Sequence, residues 1–154
     1  MIKEALFHSK ILLFGEYGII QDSMGLSIPY KAYMGELKYD QTDSEQALDS
    51  NRHLVKFHQH LLAMADAKEL PVSLDLLRFG KDIESGMHFD STIPQGYGVG
   101  SSGALVAAIY DKYAVAKLDP NNNLSSEDII KLKSAFGTIE SYFHGKSSGV
   151  DPLI

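Results

Sequence analysis

Between Ile93 and Tyr110 the chain passes from a strand-like alternation, through a turn rich in glycine and serine, into a helix-like run, and that passage limits the folds open to it. Upstream, Met87, Phe89, Ser91 and Ile93 recur at period two. Gly96, Gly98, Gly100 and Gly103 follow, with Ser101 and Ser102 among them, and then Ala104, Leu105, Val106 and Ile109. Glycine lets the backbone take positive φ and come close to a ligand, while a helix start offers free N–H groups and the positive end of its dipole. The stretch reads as a loop that opens a helix and cradles an anion, with phosphate the natural guest.

The rest of the chain narrows the partner. Its 154 residues, 44% hydrophobic and 22% charged, read as one soluble domain with enough length to bury a core. The absence of cysteine excludes thiol catalysis, disulfides and zinc–thiolate sites. With no signal-peptide pattern and no long apolar span, a cytoplasmic protein away from membranes is expected. A net charge of -6 and scattered Lys and Arg give no footprint for nucleic acid, so a small-molecule partner is expected.

Taken in order, Lys10 to Phe14 is a short apolar run closed by Gly15 and reads as a buried strand. Lys10 is either a solvated strand-end lysine or a functional one, and Glu16 is open in the same way. Ser27 to Tyr39 reads as a second strand with one wet face, Tyr33, Leu37 and Tyr39 alternating with Glu36 and Lys38, and Gly35 weakening it or marking a bulge. Gln41 to Asn51 lacks an apolar period and reads either as an exposed connection or as one that leads into the next helix. From about Arg52, Leu54, Phe57, His58, Leu61 and Ala65 recur at helical spacing until Pro71, with His58 packed or half-exposed rather than a ligand.

Val72–Phe79 and Met87–Ile93 read as the two strands of a hairpin joined by the loop Gly80 to Gly86. The helix after the glycine loop should bury Leu105, Val106, Ile109 and Tyr113 and end before Asp119 and Pro120. Ser125 to Asp128 can supply an N-cap and an acidic first turn, opening a helix that turns Ile129, Leu132, Phe136, Ile139 and Phe143 inward. On it, Glu140 is either an exposed carboxylate at the edge of the apolar stripe or a buried one that needs a partner or a metal. His144 to Asp151 forms a second loop bearing glycine and serine, ending on a carboxylate.

Several familiar motifs are approximated and set aside. Gly98, Gly100 and Gly103 match the dinucleotide fingerprint, but its ribose acid would be Asp119, which precedes Pro120 where turn chemistry rules. Gly100 to Ala104 approximates a nucleophile elbow with Ser102 as nucleophile, yet His144 precedes Asp151 and reverses the usual order. Gly145, Lys146 and Ser147 imitate the end of a Walker A loop, but Glu140 stands where its first glycine belongs. A protein-kinase glycine loop lies early between two strands and comes with elements this chain lacks.

Three ordered stretches together resemble the GHMP kinase family, named for galacto-, homoserine, mevalonate and phosphomevalonate kinases. Lys10 to Tyr17 is similar to the family's first-strand motif and Pro94 to Ala104 to its phosphate loop. Glu140, with His144, Gly145 and Ser148 to Asp151 after it, is similar to the metal-ligand helix and catalytic loop of the mevalonate kinases. The resemblance implies an α+β fold of the ribosomal-protein-S5 domain-2 type, a mostly antiparallel sheet covered by helices. It implies transfer of the γ-phosphoryl of ATP to a small-molecule alcohol, mevalonate ahead of phosphomevalonate.

By the same resemblance, Pro94, Gly96, Gly98, Gly100, Ser101, Ser102, Gly103 and Ala104 would bind the nucleotide phosphates, and Ser102 and Glu140 would ligate Mg²⁺. Asp151 would accept the substrate proton, with Lys10 beside it stabilising negative charge, and Glu16 and Tyr17 would lie near the substrate or nucleotide. Two departures bear on the substrate. Tyr17 stands where many mevalonate kinases have histidine, which resembles bacterial phosphomevalonate kinases, and Ser147 replaces a proline. Family members continue into a second domain, so residues 1–154 read as an N-terminal ATP-binding domain without its C-terminal half. Such a chain would be inactive alone, its other half supplied by another polypeptide or its bare interface covered by self-association. The alternative is a truncated, non-catalytic protein that binds nucleotide or acts by interaction.

Overall fold

The computed structural model describes residues 5–15, 24–39, 44–118 and 122–154. Glu16, Tyr17, Gln41 and Asp119, singled out above, lie outside the described residues. Strand β1 (Phe7–Phe14) pairs antiparallel with β2 (Leu26–Lys38), and the short β3 (His88–Ser91) pairs antiparallel with the other side of β2. The pairing is staggered. Leu26 to Gly35 of β2 face β1 and Gly35 to Lys38 face β3, so the three strands lie abreast only at Gly35, between Phe7 and Ser91. The Phe89 ring occupies the space a Cβ on Gly35 would need. The bulge itself falls just before: His8 pairs with Met34 but Ser9 with Tyr30, leaving Lys31, Ala32 and Tyr33 as extra residues on β2.

The alternation expected of β2 holds only from Glu36 to Lys38, since Tyr33 and Tyr39, expected inward with Leu37, are 38% and 37% exposed. Leu37 is buried while Glu36 and Lys38 point outward, the Lys38 ammonium lying 3.0 Å from Glu36 and 2.6 Å from Asp90 on β3. The expectation of a fully buried β1 needs correction. Its far end is at the sheet edge, with Phe14 70% exposed and paired to Leu26, itself half open to solvent.

Of helices α1 (Glu45–Asp66), α2 (Leu76–Glu84), α3 (Ser101–Tyr113) and α4 (Ser126–His144), α1 and α3 pack on this sheet while α2 and α4 pack on those two helices, and a 3₁₀ turn follows at Asp151–Leu153. Helix α1 starts earlier than its apolar spacing suggests, because Ser44 accepts a hydrogen bond from the Ala47 N–H at 3.1 Å and Ala47 is buried; Glu45 to Asn51 are helical rather than a connection. The expected hairpin is also corrected. Asp75 caps α2 by accepting from the Arg78 N–H at 3.0 Å, and Leu76, Phe79 and Ile83 are buried at helical spacing. Of the expected first strand only a single bridge remains, Leu74 to Ala114.

Helix α4 opens on a full capping box, Ser125 accepting from the Asp128 N–H and the Asp128 carboxylate from the Ser125 N–H. Leu132, Phe136 and Ile139 are buried as expected, but Ile129, in the first turn after the cap, stays 44% exposed and Phe143 is half-buried. His58 is packed: its Nε2 lies 2.8 Å from the Leu76 carbonyl and its ring meets Phe79 edge-on. Leu54, Phe57 and Leu61 of α1, Phe79 of α2, Val106, Ile109 and Tyr113 of α3, and Phe136 and Ile139 of α4 share one core. Leu61 is completely buried within it. Truncating it (Leu61→Ala) is expected to cost about 2–5 kcal/mol, seen as a lower urea midpoint, and a loss below about 1 kcal/mol would mean the cluster is loosely packed. With an antiparallel sheet and helices in one packed unit, the fold is α+β. Among the described residues no helix is long and apolar enough to cross a membrane.

Candidate functional site

The glycine loop runs from the end of β3 to the start of α3 and forms one wall of a cleft of about 680 Å³. Gly100 is the N-cap of α3 and has φ 85° and ψ 29°, the left-handed region that glycine adopts without strain. A Cβ there would also sit 2.9 Å from Lys10 Cγ. The first turn of α3, whose N–H groups have no partner within the helix, opens on the cleft through Ser101 and Ser102. Pro94, Gly96 and Gly98 line the same wall. Ala104 is buried, and its N–H is bonded to the Gly100 carbonyl at 3.0 Å.

Lys10 holds the loop from behind. Its backbone N–H donates to the Val99 carbonyl at 3.0 Å, and its side chain, far from being a solvated strand end, leaves only 6% of the residue exposed. The ammonium reaches Asp151 at 3.0 Å. Asp151 starts the 3₁₀ turn, lines the cleft and keeps 28% of its side chain open to solvent. The turn presses on α3 at Gly103, where a Cβ would lie 2.7 Å from Asp151 Cβ and 2.9 Å from its carbonyl carbon. Glycine at this position brings α3 and Asp151 together.

Glu140 is 2% exposed, which resolves its two readings in favour of burial. Its Oε1 accepts from the Ser102 hydroxyl at 2.9 Å and its Oε2 from the Ser147 hydroxyl, so both oxygens are satisfied by neutral donors. Burial pushes the Glu140 carboxyl up from its ordinary value, and the Ser147 and Ser102 hydroxyls offset only part of that rise. The folded chain therefore holds this proton more tightly than the unfolded chain does. Stability should fall as pH rises from about 4.5, the ordinary value, through the raised folded value, with a slope no steeper than about 1.4 kcal/mol per pH unit. Glu140→Gln should remove that slope, as read from urea midpoints measured between mildly acidic and neutral pH; an unchanged slope would assign it to another group.

Spacing along the chain does not mark His144, Asp49, Ser50 or His53 as site residues. His144 Nε2 lies 2.8 Å from the Ser102 hydroxyl, so that one oxygen contacts both a carboxylate and an imidazole. The signal was available, since His144 follows Glu140 by four residues and the two share a helix face. This is not the geometry of a nucleophile triad, because the carboxylate binds the serine and not the far side of the ring. Asp49, Ser50 and His53 of α1 also line the cleft, the first two from the stretch read as a connection.

Ser102 and Glu140 give adjacent hard oxygen donors, which fit Mg²⁺, an ion that uses few protein ligands and keeps waters or phosphates for the rest. No group of three or more His, Asp or Glu suited to a metal occurs among the described residues. Together the loop, helix start, lysine–carboxylate pair and buried Glu140 suit a protein that handles a phosphate-bearing ligand. A family model described as GHMP kinases N terminal domain matches residues 69–153, more than half of the chain and the part that carries the glycine loop, Glu140 and Asp151. The chain belongs to the GHMP kinase family. No curated protein and no solved structure gave a match.

Proposed function

We propose that this chain is the nucleotide-holding domain of a small-molecule kinase that moves the γ-phosphoryl of ATP to an alcohol, with mevalonate the favoured acceptor and phosphomevalonate next. The observation that carries the reading is the ion pair of Lys10 with Asp151, 3.0 Å long, against the glycine loop and beside the Ser102–Glu140 pair. The N–H groups at the start of α3 would hold the phosphates. Asp151 would take the proton as the acceptor oxygen bonds to phosphorus and the bond to the leaving ADP oxygen breaks. Lys10, oriented by Asp151, would stabilise the charge spread over the transferring group. Ser102 and Glu140 would hold Mg²⁺, which when bound neutralises charge on the phosphate oxygens. The family membership and the antiparallel sheet under helices support a fold of the S5 domain-2 type.

The test is a coupled assay of ADP release with Mg-ATP and mevalonate, phosphomevalonate, galactose or homoserine, run on this chain and on the product of its whole gene. ADP release that depends on mevalonate supports the proposal, and dependence on another acceptor reassigns the substrate. ATP binding with no turnover in either form would favour a nucleotide-binding protein without catalysis.

A further inference from the structure

The Ser102 hydroxyl has one proton and two lone pairs, and it has two neighbours. Its proton goes to Glu140 Oε1 at 2.9 Å, so the contact of 2.8 Å with His144 Nε2 is a hydrogen bond only if the ring donates through an Nε2–H. His144 is held for this contact by the last turn of α4, where Tyr142 and Phe143 pack on Phe57 of α1 with ring centroids 5.2 and 5.1 Å away. The rest of His144 is exposed in the cleft.

We propose that His144 is a positioning residue for the divalent cation: when Ser102 and Glu140 turn their oxygens to a shared cation, His144 Nε2 becomes the acceptor of the Ser102 proton. The inference rests on the assignment of Mg²⁺ to Ser102 and Glu140. Two oxygens can share a cation only with lone pairs directed at it, and a proton lying between them opposes that arrangement. The Ser102 proton must then leave Glu140. Glu140 keeps its second donor, Ser147, while the ring nitrogen already in contact with the Ser102 oxygen is the acceptor within reach. For Nε2 to accept from Ser102 the ring must carry its N–H on Nδ1, a change of tautomer with no net proton uptake. An acceptor behind a ligand oxygen makes that oxygen a better donor to the metal and fixes its orientation.

The test uses Mn²⁺ as the probe, titrated into the full chain with ADP present and counted as free ion by electron paramagnetic resonance. His144→Ala should weaken Mn²⁺ binding about tenfold, with the affinity for metal-free ADP unchanged. His144→Gln, whose amide oxygen can accept the same proton, should recover most of the loss. In the wild type, ¹⁵N spectra of the His144 ring should show Nε2–H without metal and Nδ1–H with Mg²⁺ and ADP. An alanine variant that binds Mn²⁺ as the wild type does, or a ring that keeps Nε2–H when loaded, overturns the proposal and leaves the cation assignment standing. Wild-type chain that binds ADP but no Mn²⁺ overturns the cation assignment and this inference with it.

Discussion

Asp151→Asn is expected to lower kcat by roughly a hundred- to ten-thousandfold, the range for loss of a positioned general base, while nucleotide binding persists. Asparagine keeps the shape of the side chain and can still accept from Lys10, but it cannot take a proton from the acceptor alcohol. The substitution also strips the counter-charge from a lysine that is 6% exposed. Breaking a buried pair costs about 3–5 kcal/mol, and the 28% exposure of Asp151 should bring the cost below that range. Turnover should therefore be compared at a temperature where circular dichroism shows both proteins folded, in whichever form of the gene product turns over. Unchanged kcat would remove Asp151 from the chemistry.

Gly100→Val should act on binding rather than on proton transfer. A β-branched residue at φ 85° is strained, and its Cβ would start 2.9 Å from the Lys10 stem. Strain of this kind costs on the order of 1–3 kcal/mol. Relief requires the loop to shift away from Lys10, which misdirects the N–H groups at the head of α3. We expect ATP affinity, measured by calorimetry, to fall about five- to a hundredfold, since each 1.4 kcal/mol lost is one decade. Wild-type affinity in a folded variant would detach the loop from nucleotide binding.

Local chemistry was legible in the sequence, and tertiary choice was not. The glycine loop opening α3, the capping box at Ser125 and the buried Leu132, Phe136 and Ile139 all rest on patterns contained within a few residues. The hairpin expected over Val72–Ile93 failed because Val72, Leu74 and Leu76 alternate like a strand while Leu76, Phe79 and Ile83 recur like a helix; Asp75 as a cap decides between them. Gly80, read as part of a turn, lies inside α2, where a Cβ would come 3.0 Å from the His58 ring of α1. That reason lives in another helix and leaves no local mark. Lys10 and Glu140 stayed ambiguous for the same cause, since burial and pairing depend on Asp151, Ser102 and Ser147 arriving from distant parts of the chain.

Lys10 joins the sheet to the loop through its backbone and to Asp151 through its side chain. These two attachments respond to different substitutions. Only proline removes the N–H that tethers Val99, whereas any residue without a cation removes the charge. A saturation library at this position would thus sort by chemistry and not by size alone: proline scores as an architectural defect, and methionine, with a stem of similar length, reports the charge on an otherwise tethered loop. Position 10 is in effect a joint whose mechanical and electrical halves can be cut separately.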